Sequence, residues 1–167
     1  MSELADLLER FRRGPELLAV ATTGAAGPEL DFKPPDKWSV RQIVCHLADA
    51  EGAAGMRLRQ LIAEDHPTLQ AWDQNAWAEK LDYEKRKISQ ALELFRVVRH
   101  SNYDVVKDLP EAAFARTGNH TVRGEISLLQ FTRLCAEHVE HHVQQIAATR
   151  AAYKDHRAKE RNATVVG

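Results

Sequence analysis

The stretch SVRQIVCHLADAEGAAGMRLRQLIAE, residues 39–64, sets the reading of the whole chain. Ser39 followed three residues later by Gln42 is a capping-box pair, and Trp38 and Ile43 occupy the two hydrophobic-staple positions around it. Ile43, Leu47, Ala50, Ala54, Leu58 and Leu61 then recur at helical spacing, so a long amphipathic helix is expected to run to about Glu64. One member of that apolar stripe is out of character. His46 sits three residues after Ile43, where an aliphatic side chain would pack better.

Working outward, three more helical stretches emerge. Residues 2–22 carry Leu4, Leu7, Leu8, Phe11, Leu17 and Leu18 near helical spacing, with Gly14-Pro15 predicting a kink or two short helices. Ile88, Leu92, Phe95 and Val98 place a helix over about Tyr83 to Lys107. A last one is expected from about Gly124 to Tyr153. The connections 65–82 and 108–123 are too long for simple bundle turns, and such loops are usually functional. Trp72 and Trp77 in the first of them argue for order, since two indoles favour burial. No strand alternation and no repeat is evident. The expectation is an all-α four-helix bundle with long inter-helix connections, formed by residues 1–153, and a polar C-terminal tail over 154–167.

Composition narrows the function. A chain of 167 residues fits one domain. Its net charge of −1, without a dense basic run before the tail, gives no basis for binding nucleic acid or acidic membranes. No apolar run approaches the roughly 18–20 residues of a membrane span. Cys45 and Cys135 are the only cysteines, so no disulfide framework exists and a reducing, cytoplasmic setting is expected.

The last helix contains CAEHVEHHVQQI, residues 135–146. His138 and His142 are four apart and stack one turn above the other, on a stripe shared with Phe131, Cys135 and Ile146. His141 lies about 100° round the helix from His142 and cannot join them as a central ligand without distortion. Such a pair also occurs on solvated faces, and a lone His46 can be a satisfied core histidine. Taken together, three imidazoles aimed into one core each carry a burial cost of about 1–3 kcal/mol unless partnered. One divalent ion held by His46, His138 and His142 satisfies all three. Asp49, His141 and Gln145 are candidates to orient those rings, with surface roles as the alternative. Thiolate ligation by Cys45 or Cys135 is open, although a small buried hydrophobe suits both.

The segments KWSVRQIVCHLADAE, AEDHPTLQAWDQNAWA and RGEISLLQFTRLCAEHVEHHVQQI together resemble the DinB-like superfamily, and within it the branch of bacillithiol S-transferases and metal-dependent hydrolases. The resemblance covers roughly residues 30–150. It implies a four-helix bundle whose order departs from simple up-and-down, often homodimeric, with zinc or nickel on three histidines. Carried onto this chain, those are His46, His138 and His142, with His141 as the non-ligating histidine of the motif. Cys45 stands where relatives often have another histidine.

Three neutral ligands leave coordination positions free, which marks a catalytic site more than a structural one. The expected function is a metal-dependent S-transferase that activates a low-molecular-weight thiol for attack on a small electrophile. The alternatives are a metal-dependent hydrolase using bound hydroxide and a non-catalytic metal- or ligand-binding bundle.

Overall fold

Ser39 caps the long helix from both directions. Its hydroxyl accepts from the Gln42 amide at 3.2 Å, and its own amide donates to the Gln42 side chain at 3.0 Å. In the computed structural model, which describes residues 2–165, this helix (α4) spans Val40–Ala63. Ahead of it lie α1 (Glu3–Arg12), α2 (Gly14–Thr22) and the single turn α3 (Pro28–Asp31). The break between α1 and α2 falls at Gly14-Pro15, with proline in the first turn of α2, where its missing N–H costs nothing. After α4 come β1 (Thr68–Leu69), α5 (Gln74–Lys80) and α6 (Ile88–Val106). A short 3-10 turn over Glu111–Ala115 leads to β2 (Thr117–His120), β3 (Gly124–Ser127) and α7 (Leu128–Val165).

Three boundaries and one element class differ from the sequence expectation. Helix α6 begins five residues later than Tyr83, because Tyr83 is fully buried and serves as an anchor ahead of the helix. Gly124–Ser127 is strand, not helix, and α7 starts only at Leu128. The polar segment from residue 154 continues α7 to Val165, while 166–167 lie outside the described residues. Its sequence KDHRAKERNA lacks glycine and proline and is rich in good helix formers, so an exposed helix continues where a polar tail outside the bundle was expected. The two long connections also hold a three-stranded sheet in the order β1-β2-β3, β1 parallel and β3 antiparallel to β2. Strands of two to four residues are too short to show alternation in a sequence.

The direction of packing follows from the cross-helix pairs. Glu3 meets Arg133, Arg10 meets Glu140, and the Ala21 carbonyl meets Arg150, so α1–α2 and α7 run in parallel. Cys45 touches Tyr83, Glu51 binds Arg99 and Arg59 reaches Ser101, so α4 and α6 are also parallel. Helix α7 runs antiparallel to α4, with His46 opposite His138 and Ala54 in the cluster that holds Phe131. The bundle is therefore not a simple up-and-down arrangement.

A polar knot divides its core into two apolar clusters. Arg99 is 1% exposed and donates twice to Glu51, at 2.8 and 2.6 Å. It also donates to the carbonyls of Phe11 and Cys135, and its guanidinium lies 4.2 Å from the Phe11 ring centroid. Asn102 completes the set with a 2.7 Å bond to Glu51 and accepts from Arg59 at 2.8 Å. All four long elements thus meet at one guanidinium. A buried pair so fully hydrogen-bonded adds little net stability, but removing one partner costs about 3–5 kcal/mol.

Candidate metal centre

On the face of α4 one turn before the knot, His46 projects toward α7. Its Nε2 lies 3.0 Å from Nε2 of His138, which lies 3.0 Å from Nε2 of His142. The three ligand atoms fall within 4.8 Å of one another. The antiparallel packing of α4 on α7 brings one imidazole across to face the i, i+4 pair.

Hydrogen bonding defines which nitrogens face inward. His142 donates from Nδ1 to the Gln145 side-chain oxygen at 2.8 Å, so its Nε2 is a bare lone pair. The Gln145 amide nitrogen donates in turn to His141 Nε2 at 2.9 Å. Gln145 therefore holds His142 in a ligating tautomer and ties His141 outside the cluster. His46 has no such orienting bond. Its Nδ1 is buried without a partner, and the ring is held by packing between Trp38 and Trp72, at centroid distances of 5.0 and 5.6 Å.

Burial keeps all three imidazoles neutral. It lowers His46 and His138 to a pKa of about 3, with His142 adding repulsion to each. His142 falls to about 4, burial outweighing the opposing Gln145 bond. Uncharged imidazoles with converging nitrogens are the form a divalent cation requires. The residues present fit such an ion. Among the described residues no carboxylate or thiolate joins the cluster. Cys135 is held far from thiolate by burial, which raises it to about 12, and burial also raises Cys45.

Asp49 is not an orienting residue for the triad. Its carboxylate accepts from Tyr83 Oη at 2.8 Å and from Arg86 at 2.7 Å, which fixes the turn before α6 and leaves no bond to His46. One turn along α4 takes it round toward that neighbour.

Two cavities adjoin the triad, one on each side along α7. A cavity of about 500 Å³ touches His46 and His138 and reaches Trp72, Arg57, His120 and Arg123. Another of about 560 Å³ touches His142 and Gln145 and extends along Trp38 and Thr149. Gln74, at the start of α5, borders both. The half-buried Trp72 packs on Trp77 at 4.3 Å and also walls the first cavity, so it does more than fill the core. Arg57, His120 and Arg123 were not singled out by the sequence. Only the fold of the β2–β3 hairpin over α4 brings them together.

Residues 10–146 match the DinB superfamily. The chain belongs to that superfamily. Among its relatives, a protein of Oceanobacillus iheyensis is 32% identical over 111 residues, covering 66% of this chain and 64% of the relative. One from Geobacillus kaustophilus is 30% identical over 150 residues, covering 89% of this chain and 84% of the relative. Both carry metal-dependent hydrolase as a provisional name. The chain thus spans just under two thirds of the Oceanobacillus protein. The fold is shared with YfiT of Bacillus subtilis, provisionally described as a metal-dependent hydrolase with an unusual four-helix-bundle topology. That superposition has a TM-score of 0.85 at 23% identity, covering 92% of this chain and 90% of YfiT. No helix among the described residues of this DinB-family chain is long and apolar enough to cross a membrane.

Proposed function

We propose that this DinB-family protein is a metal-dependent S-transferase, joining a small thiol to a small electrophile at an ion held by His46, His138 and His142. One observation carries the reading: the triad has no fourth protein ligand among the described residues and is flanked by two separate cavities. Two reactants need two places beside one centre. A divalent ion bound there, with zinc and nickel as the foremost candidates, supplies the positive charge that favours thiolate over thiol near neutral pH.

The chain's own residues do the rest. Gln145 fixes His142, and Trp38 and Trp72 fix His46, so the donors are preorganised. Trp72 offers an aromatic wall to a reactant in the first cavity. The absence of a carboxylate hydrogen-bonded to any triad imidazole, among the described residues, suits a reaction whose nucleophile loses its proton to solvent. The relatives' provisional name favours hydrolysis instead, and the same centre would serve it.

The test is a rate measurement on protein purified without an affinity tag and loaded with zinc or nickel. Thiol consumption with monobromobimane or a chloro-nitroaromatic acceptor should rise above background with metal and vanish in His46→Ala. Cleavage of ester or amide substrates without thiol transfer would install the hydrolase reading. Neither activity in fully metallated protein would leave a binding bundle.

A further inference from the structure

The first cavity has a charge that the triad does not explain. Arg57 and Arg123 both border it, and neither has a carboxylate within ion-pair distance among the described residues. Most other arginines of the chain are paired, Arg99 with Glu51 and Arg150 with Glu29 among them. Arg57 is half-buried and spends one nitrogen on the Gln70 carbonyl. His120, 8% exposed, stands on the same wall. Its Nδ1 accepts from the backbone amides of Val122 and Arg123 at 3.2 and 3.3 Å, which puts its proton on Nε2. That N–H has no protein partner and is left to the cavity. Burial, followed by the two guanidinium charges, keeps the ring neutral and in this donor form. Glu137 is the one carboxylate among the cavity's lining residues, and it is exposed and close enough to Arg10 to act on its charge.

We infer that the cavity bounded by Arg57, His120 and Arg123 binds an oxyanion, a carboxylate or phosphate, carried by the substrate that approaches His46 and His138. Two unpaired guanidinium groups, one of them partly desolvated, form charge-assisted bonds that an oxyanion can satisfy and a hydroxyl cannot. His120 adds a directed neutral donor. The inference rests on the proposed thiol chemistry for the identity of the carrier, and on the cavity alone for the anion.

Titration calorimetry on the full-length, zinc-loaded protein separates the two. The probes are 3-mercaptopropionate and 3-mercapto-1-propanol, which differ at the carboxylate end, together with propionate and inorganic phosphate, which lack the thiol. The anionic thiol should bind at least tenfold more tightly than the neutral one. Arg57→Met with Arg123→Met should erase that preference while leaving zinc content and the neutral thiol's affinity unchanged, and Arg57→Lys should retain much of it. Equal affinities for the two thiols, or a preference that survives the double substitution, would overturn the inference. If neither thiol binds but propionate or phosphate does so in an arginine-dependent way, the anion site stands and the thiol reading fails. If no probe binds, the anion site falls as well. Tighter binding of phosphate than of propionate assigns the site to phosphate over carboxylate.

Discussion

Gly14 leaves the space that the Arg99 guanidinium fills: a Cβ at Gly14 would lie 2.6 Å from Nη1. Gly55 does the same for Asn102, where a Cβ would meet Oδ1 at 2.5 Å. The two glycines are matched to the buried polar knot, and their neighbours cannot retreat because every polar atom there is already bonded.

A comparison within one helix tests this. Gly52 and Gly55 lie three residues apart on α4, and nothing lies within 4 Å of a Cβ built at Gly52. Gly52→Ala should stabilise by about 0.5–1 kcal/mol through helix propensity alone. Gly55→Ala should destabilise by about 1–3 kcal/mol from overpacking. A Gly55→Ala urea midpoint equal to or above that of the parent protein would show that the knot tolerates a methyl group.

Breaking the knot directly should be costlier. Glu51→Ala leaves the Arg99 charge buried and unpaired, for an expected loss of about 3–5 kcal/mol. Joint replacement of Glu51 and Arg99 by apolar residues of similar volume should recover much of that loss. Thermal unfolding in which the double variant is no better than the single would refute a charge-burial origin.

The proposed ligands make a second set of expectations. Alanine at His46, His138 or His142 should remove most bound metal, whereas His141→Ala should keep it, because His141 is tied to Gln145 and points away from the cluster. Elemental analysis of untagged protein reads this out, and equal loss from all four would reject the assignment.

Gln145→Leu removes no proposed ligand but frees His142 Nδ1. Loss of such an orienting bond typically weakens metal affinity tenfold to a hundredfold. Competition with a chromophoric chelator measures it. An unchanged affinity would mean that packing alone orients His142.

Acid should destabilise the metal-free protein in a defined window. The folded values of His46, His138 and His142, about 3, 3 and 4, lie below the reference of 6.5, chiefly from burial. The unfolded chain therefore binds more protons between those limits. Stability is fully present above about pH 6.5 and is lost as pH falls through the window. Added zinc should shift the loss to lower pH. A metal-free protein equally stable to urea at pH 7.5 and pH 5 would contradict the burial of three neutral rings.

What could be read from the chain depended on how local the cause was. Ser39 and Gln42 announce their helix because a capping box spans only four residues, and His138 with His142 needs only one turn. Gly14-Pro15 likewise marks its own break. His46 entered through periodicity, as a polar residue on an apolar stripe. Asp49 shows where such reasoning ends, since its spacing permits a bond to His46 while Tyr83 and Arg86, from another segment, claim its carboxylate. The sheet was invisible because its strands are only two to four residues long and one of its two pairings crosses a gap in sequence, with Thr68 opposite Asn119. Arg57, His120 and Arg123 share a wall only after that pairing forms.

The placement of the triad along the chain has a consequence during synthesis. His46 leaves the ribosome 92 residues ahead of His138, a delay of roughly 5–20 s at common elongation rates. Throughout that interval the nascent polypeptide presents one imidazole of the three, and α4 and α6 are synthesised before α7. A product terminated before His138 therefore holds only one member of the set. Capture through all three imidazoles is reserved for chains that extend past His142 and whose α7 has docked on α4, so a bound ion also reports that synthesis has passed that point.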